Sequence, residues 1–138
     1  IGETEYGNMN PISSIAVSGL QAATNRAQSA AGNIANRNTT GSVGDNGSYD
    51  GYRTTGVTQS SQAGGGVVSG TAPVDPSFVL QFAPSDPNAN DEGIVGVPSG
   101  SLVEDVTQLA LAENAYEANL RVLETADQVA RSVLDIKT

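Results

Sequence analysis

Apolar residues recur at helical spacing in two stretches near opposite ends of this 138-residue chain. In the first, Ile12, Ile15, Gly19, Leu20, Ala23, Ala27, Ala30 and Ile34 fall on or near one face, which predicts a helix over residues 12–36. Asn10 suits an N-cap and Pro11 the first helical position. Asn38-Thr39-Thr40-Gly41 is poor helix material, so the helix should end near Asn36. Its stripe is mostly Ala and Gly. Such a face buries little area per residue, but it lets another helix come close.

The second stretch, residues 101–137, is the clearest element. Ser101-x-x-Glu104 has the pattern of a capping box. Leu102, Val106, Leu109, Glu113, Tyr116, Leu120, Leu123, Asp127, Ala130 and Leu134 then alternate in steps of four and three. This is a heptad seam held for more than four heptads. Glu113 and Asp127 interrupt it, which a simple dimeric coiled coil would not favour. Val103, Ala110, Val129 and Val133 widen the apolar face beyond a strict seam.

Between the helices lies a segment rich in Gly, Ser, Thr, Asn and Pro. Short β-like runs emerge at Tyr52–Thr58, Val67–Thr71, Phe78–Phe82 and Ile94–Val97. They predict one or two small hairpins or extended arms, which are marginal in water by themselves. The expected fold class is mainly α: long terminal helices packed as an antiparallel, coiled-coil-like pair, with a small irregular β-containing middle. The expected divisions are an N-terminal helix and turn over 9–41, a Gly/Pro-rich region over 42–100 and a C-terminal helix over 101–138. The two helical parts form one domain. Residues 1–8 differ in character from the helical stretch after them, and Met9-Asn10-Pro11 would make a natural start. Residues 1–8 are therefore read as upstream or appended sequence, or else as part of a longer N-terminus.

Composition narrows the function. The apolar content is 38%, with no Trp, two Phe and four Tyr, so any core is thin. The chain has no Cys and no His. Disulfides, thiolate nucleophiles and imidazole bases are thereby excluded, as are the usual zinc and iron sites. The net charge of −9, with only six Lys and Arg, argues against binding nucleic acid or an anionic membrane. No apolar run approaches the roughly 20 residues that span a bilayer, and no secretory signal peptide is expected. No cofactor and no enzymatic activity are expected.

Several local patterns resemble sites. The run from Asp86 to Gly93 looks like the start of a calcium loop, but Asp91 and Val97 stand where that loop needs Gly and an acid. A turn leading into a strand fits better. Gly64-Gly65-Gly66 has no following Lys and reads as a loop. Glu104-Asp105 reads as acids meeting the dipole of a helix N-terminus. Asn38-Thr39-Thr40 and Asn46-Gly47-Ser48 match a glycosylation sequon, a pattern common by chance in such chains.

Gly19-Leu20-Gln21-Ala22, followed by the run Asn33-Ile34-Ala35-Asn36-Arg37-Asn38-Thr39-Thr40-Gly41, resembles the N-terminal signature of bacterial flagellar rod and hook proteins. Val103-Glu104-Asp105 and Ala115-Tyr116-Glu117-Ala118-Asn119 resemble the C-terminal counterpart. The stretch from Asp75 to Val95 is similar to the proximal rod type. Asn114-Ala115-Tyr116 stands where the family commonly reads Arg-Ala-Tyr, and Thr125-Ala126-Asp127-Gln128 is closer to the distal type.

The resemblance implies a structural subunit of the flagellar basal-body rod, the periplasmic drive shaft whose bore carries export. It implies export through the flagellar type III apparatus without a cleaved signal peptide. The implied partners are copies of the chain, other rod proteins and that apparatus, with no nucleic acid and no direct membrane insertion. The expected subunit-interface residues are the apolar stripe of the first helix with Asn33 and Asn36, and the apolar seam of the second with Asn119. A distal rod or hook-type axial protein is one alternative. A soluble helical adaptor or chaperone-like binding module is another, separated by whether the chain forms filaments.

Overall fold

A computed structural model describes residues 10–136. Helix α1 runs Pro11–Asn36, strands β1 Thr55–Ser61, β2 Val67–Pro73, β3 Phe78–Phe82 and β4 Ile94–Pro98 come next, and helix α2 runs Leu102–Ile136. The helices span 26 and 35 residues and hold just under half of the described chain, so "mainly α" overstates them. The middle is more regular than its Gly-rich composition suggests. It forms two antiparallel hairpins, β1–β2 and β3–β4, whose backbone pairing does not need large side chains.

Local chemistry sets the ends of α1. The Asn10 side chain accepts from Ile12 N at 3.1 Å, and Pro11 occupies the first turn. At the other end Arg37 N donates to Ile34 O, and Thr39 N to Asn36 O. At the start of α2, Ser101 contributes its backbone carbonyl, which accepts from Asp105 N at 3.0 Å. The reciprocal Ser101–Glu104 capping box does not form among the described residues; the neighbouring acid, Asp105, turns into the fold.

The two helices pack antiparallel. Asn33 bonds Asp105, Gly19 lies against Asn119, and Ile12 lines the same groove as Ala126. Each step forward along α1 is thus matched by a step back along α2. The facing rows are small. Ala16, Ala23 and Ala30 are buried on α1 at seven-residue intervals, and Asp105, Ala112 and Ala126 are buried on α2 with Asn119 half-buried in the same row. Seven-residue spacing keeps a row facing its partner along the whole pair.

A second face of α1 carries the first hairpin. Ser18 Oγ accepts from Val67 N, Asn25 Nδ2 donates to Ser69 Oγ, and Ser29 Oγ donates to Thr55 O. Ala22 is buried in the same row. The polar residues of this row fix the register of a hairpin that has few apolar side chains.

The second hairpin is anchored by Tyr49. Its ring stacks on Phe78 at 4.2 Å between centroids, and the Arg53 guanidinium lies 5.5 Å and 5.2 Å from the two rings. A Cβ on Gly96 would sit 2.5 Å from this ring and one on Gly41 2.6 Å from it, so the glycines leave the slot it fills. Gly41 and Gly96 also exchange backbone hydrogen bonds of 2.9 Å. Val95 is the one large side chain that is wholly buried among the described residues. The run after β3 is a turn: Asp86 Oδ1 accepts from Thr40 Oγ1 and Asn88 N, and Asn90 Oδ1 accepts from Glu92 N and Ile94 N.

Candidate subunit interface

The apolar residues of this chain are distributed by size. Among the described residues, six of the eight buried hydrophobics are Ala, joined by Tyr49 and Val95. Twelve large apolar side chains stand exposed on α2. A monomer that buries its methyls and exposes its leucines has an unfinished surface.

The heptad seam lies on that surface. Leu102, Val106, Leu109, Tyr116, Leu120 and Leu134 are exposed, as is Ala130, and Leu123 is half-buried. The seam is turned aside from the row that meets α1, although Tyr116 borders a groove with Val17 and Leu20 of α1. At about 100° per residue its two rows lie roughly 50° and roughly 100° from the row Asp105, Ala112, Asn119 and Ala126. The α2 helix therefore carries two seams, one small and covered, the other large and open. Glu113 and Asp127 fall in the open one. Asp127 pairs with Arg131 at 2.8 Å.

The α1 residues divide differently. Ala23, Ala30 and Asn33 are buried in the chain's own fold, and Gly19 is held there against Asn119. Ile12 and Ile15 are exposed, whereas Leu20, Ala27, Ile34 and Asn36 are half-buried. Asn36 Nδ2 turns back to Gly32 O at 2.9 Å.

Asn33 is the polar hub of the site. Its Nδ2 donates to Asp105 Oδ1 and Thr55 O, both at 2.9 Å, and its Oδ1 accepts from Tyr52 OH and Thr55 N, both at 3.0 Å. All four hydrogen-bonding positions of the amide are filled. It ties α1 to the start of α2 and to the entry of β1. Thr54 extends the join, donating from Oγ1 to Ser99 O at 2.7 Å.

Sequence reasoning missed Ala16, Ala22, Ser29, Asp105, Ala112 and Ala126 as interior positions. The recurrence of Ala at seven residues on α1, and at fourteen on α2 with Asn119 between, is a usable signal hidden by the stronger Leu pattern. Beyond the paired region, α2 continues past the first turn of α1. Where the pairing ends, Ile12 of α1 and Val122, Ala126 and Val129 of α2 line an open apolar groove of about 310 Å³. No helix among the described residues is long and apolar enough to cross a membrane.

No protein-family model matches the chain. Three curated relatives do, each named flagellar basal-body rod protein FlgC. The one from Agrobacterium fabrum is 30% identical over 139 residues, covering 93% of this chain and 96% of the relative. The one from Bacillus subtilis is 33% identical over 56% of this chain and 52% of the relative. The one from Aquifex aeolicus is 32% identical over 39% and 40% respectively. With nearly full-length similarity to the first, and an open apolar seam suited to assembly, the chain belongs to the FlgC family of flagellar basal-body rod proteins.

Proposed function

We propose that this chain is a structural subunit of the flagellar basal-body rod, and that it assembles through the open seam of α2. The carrying observation is the inverted burial: small residues close the chain's own helix pair, and large ones from Leu102 to Leu134 are left outside. Burial of apolar area stabilises by about 25 cal/mol per Å², so a side chain kept in water contributes only when a neighbour covers it. The function is mechanical. Torque passes between subunits through packed helices, and no reacting group is required of the chain.

In this reading the partners are further copies and other rod proteins. The chain crosses to the periplasm through the flagellar export apparatus and takes its place in the wall around the bore. The proximal rod position follows the family to which it belongs. Among the described residues, 10–41 and 101–136 act as one helical unit, with 42–100 decorating it.

The experiment is complementation of motile bacteria that lack the chain, using a tagged copy. Recovery of the tag in purified basal bodies, with rods restored, is expected. A tagged chain found only in one-to-one complexes that do not propagate would favour an adaptor.

A further inference from the structure

The cations of this acidic chain are unequally employed. Arg121 and Arg131 pair with Glu117 and Asp127 on their own helix. Arg26 donates to Gln59, and Arg53 donates to Ser77 and to the Tyr49 carbonyl. Among the described residues Arg37 is the one cation whose side chain has neither a hydrogen bond nor an ion pair, and its Nε is enclosed by protein. The enclosed Nε is beyond the reach of a second chain, but the two terminal nitrogens, likewise without an acceptor, are not enclosed.

Its place in the fold makes it available. Arg37 follows Ala16, Ala23 and Ala30 at the same seven-residue interval, so it continues the α2-facing row just past the end of α1. From the Asn33–Asp105 contact, four residues forward on α1 correspond to four back on α2. Arg37 is therefore level with Ser101, where α2 has not yet begun. The helix pair thus ends in a guanidinium, whose planar fork matches a carboxylate.

The open seam carries the complementary defect. Glu113 lies among Leu109, Tyr116 and Leu120, and its carboxylate has no hydrogen bond or ion pair among the described residues. The other acid of the seam is already balanced by Arg131. A purely apolar covering surface would strand the Glu113 charge in a drying contact. The surface that covers this seam has to bring a donor.

We propose that Arg37 of one copy pairs with Glu113 of a second copy, and that this pair sets the offset between neighbours. The proposal rests on the reading of the α2 seam as a subunit contact and names its occupant. A second copy is favoured by charge: at net −9 the chain has few cations to spare, and the one unmatched among the described residues meets the unmatched seam acid. Arg37 stands level with residue 101 and Glu113 about twelve residues on. For neighbours running parallel this gives a shift of about 18 Å along the helix axis, at 1.5 Å per residue. Each copy offers Arg37 to one neighbour and Glu113 to another. Such a heterologous contact propagates instead of closing on a dimer.

The test is a charge swap in cells lacking the native chain. Arg37→Glu and Glu113→Arg should each lose incorporation into basal bodies, and the double variant should regain at least half of it. Circular dichroism of each purified variant, matched to the parent, separates lost assembly from lost folding. Singly altered chains that enter rods at the normal level would overturn the pair, as would a swap that fails to rescue folded single variants. Leu120→Asp run in parallel tests the underlying seam: if it alone is excluded, the seam stands and the pair falls.

A second measurement does not depend on charge. The chain has no Cys, so Arg37→Cys with Glu113→Cys supplies its only thiols. A short bismaleimide added to intact basal bodies should give a ladder of multimers that neither single variant gives. Cross-links only to a different rod chain, or none, would overturn the assignment of a second copy.

Discussion

Asn33 donates to Asp105 at 2.9 Å, joining residues 72 positions apart in the chain. Both residues are buried, and the bond crosses between two helices that otherwise meet largely through methyl groups. In a seam of Ala and Gly, many axial registers pack almost equally well. A buried polar pair with one good partner removes that freedom.

Asn33→Ala should therefore cost more than its size suggests. It leaves Thr55 N and Tyr52 OH without their acceptor, and Asp105 without its donor. The expected loss is about 2–4 kcal/mol of unfolding free energy, measured by urea titration. Asp105→Asn keeps an acceptor oxygen facing Asn33 and should cost about 1 kcal/mol or less.

The helices approach closely at Gly19. A Cβ there would come within 2.7 Å of Asn119 Nδ2, and that nitrogen is held by Ala115 O at 2.8 Å. Replacing Gly by Ala inside a helix ordinarily stabilises by about 1 kcal/mol. Here Gly19→Ala should destabilise by about 1–2 kcal/mol, because the Asn119 side chain must leave its hydrogen bond. Adding Asn119→Ala should restore most of the loss, and a double-mutant cycle by thermal or urea unfolding reads that coupling.

Tyr49 gives the fold an alkaline limit. Burial raises its pKa above 10.0, opposed by the nearby Arg53 charge, with Asp50 adding to the rise. The unfolded chain therefore loses this proton at a lower pH than the folded one. The corresponding stability is fully present below pH 10 and is lost as pH rises through the folded value. Stability measured from about pH 8 upward should fall in the parent chain above pH 10. In Tyr49→Phe that fall should be smaller, set against a lower starting stability from the lost bond to Tyr52 O.

Much of this fold is legible in the sequence, for identifiable reasons. The Asn10-Pro11 start of α1 and the Phe78–Phe82 strand follow from local chemistry and stand within a residue of their expected places. Strand β1 begins at Thr55, three residues later than its pattern predicts. Tyr52 and Arg53 suit a strand by type but serve Asn33 and the Tyr49–Phe78 stack. The helix pair is legible as a pair, but not its faces. A Leu seam outweighs an Ala seam in any hydrophobic pattern, and the chain reserves the weaker one for itself. Asp105 reads as a helix-dipole acid, since an acid in a first turn ordinarily faces water. Its partner Asn33 lies too far away in the chain for a local pattern to reveal it.

Assembly through the open seam is tested most directly by Leu120→Asp. Leu120 is 38% exposed and lies about 100° round α2 from the row that meets α1, so a charge there adds little strain to the isolated chain. The same charge placed in a packed helical contact would be stranded without water or a partner. Leu120→Asp should match the parent in circular dichroism and in urea midpoint, yet be absent from purified basal bodies, leaving the cells non-motile. Rods of normal length containing the variant, in swimming cells, would contradict the assignment of this seam as the subunit contact.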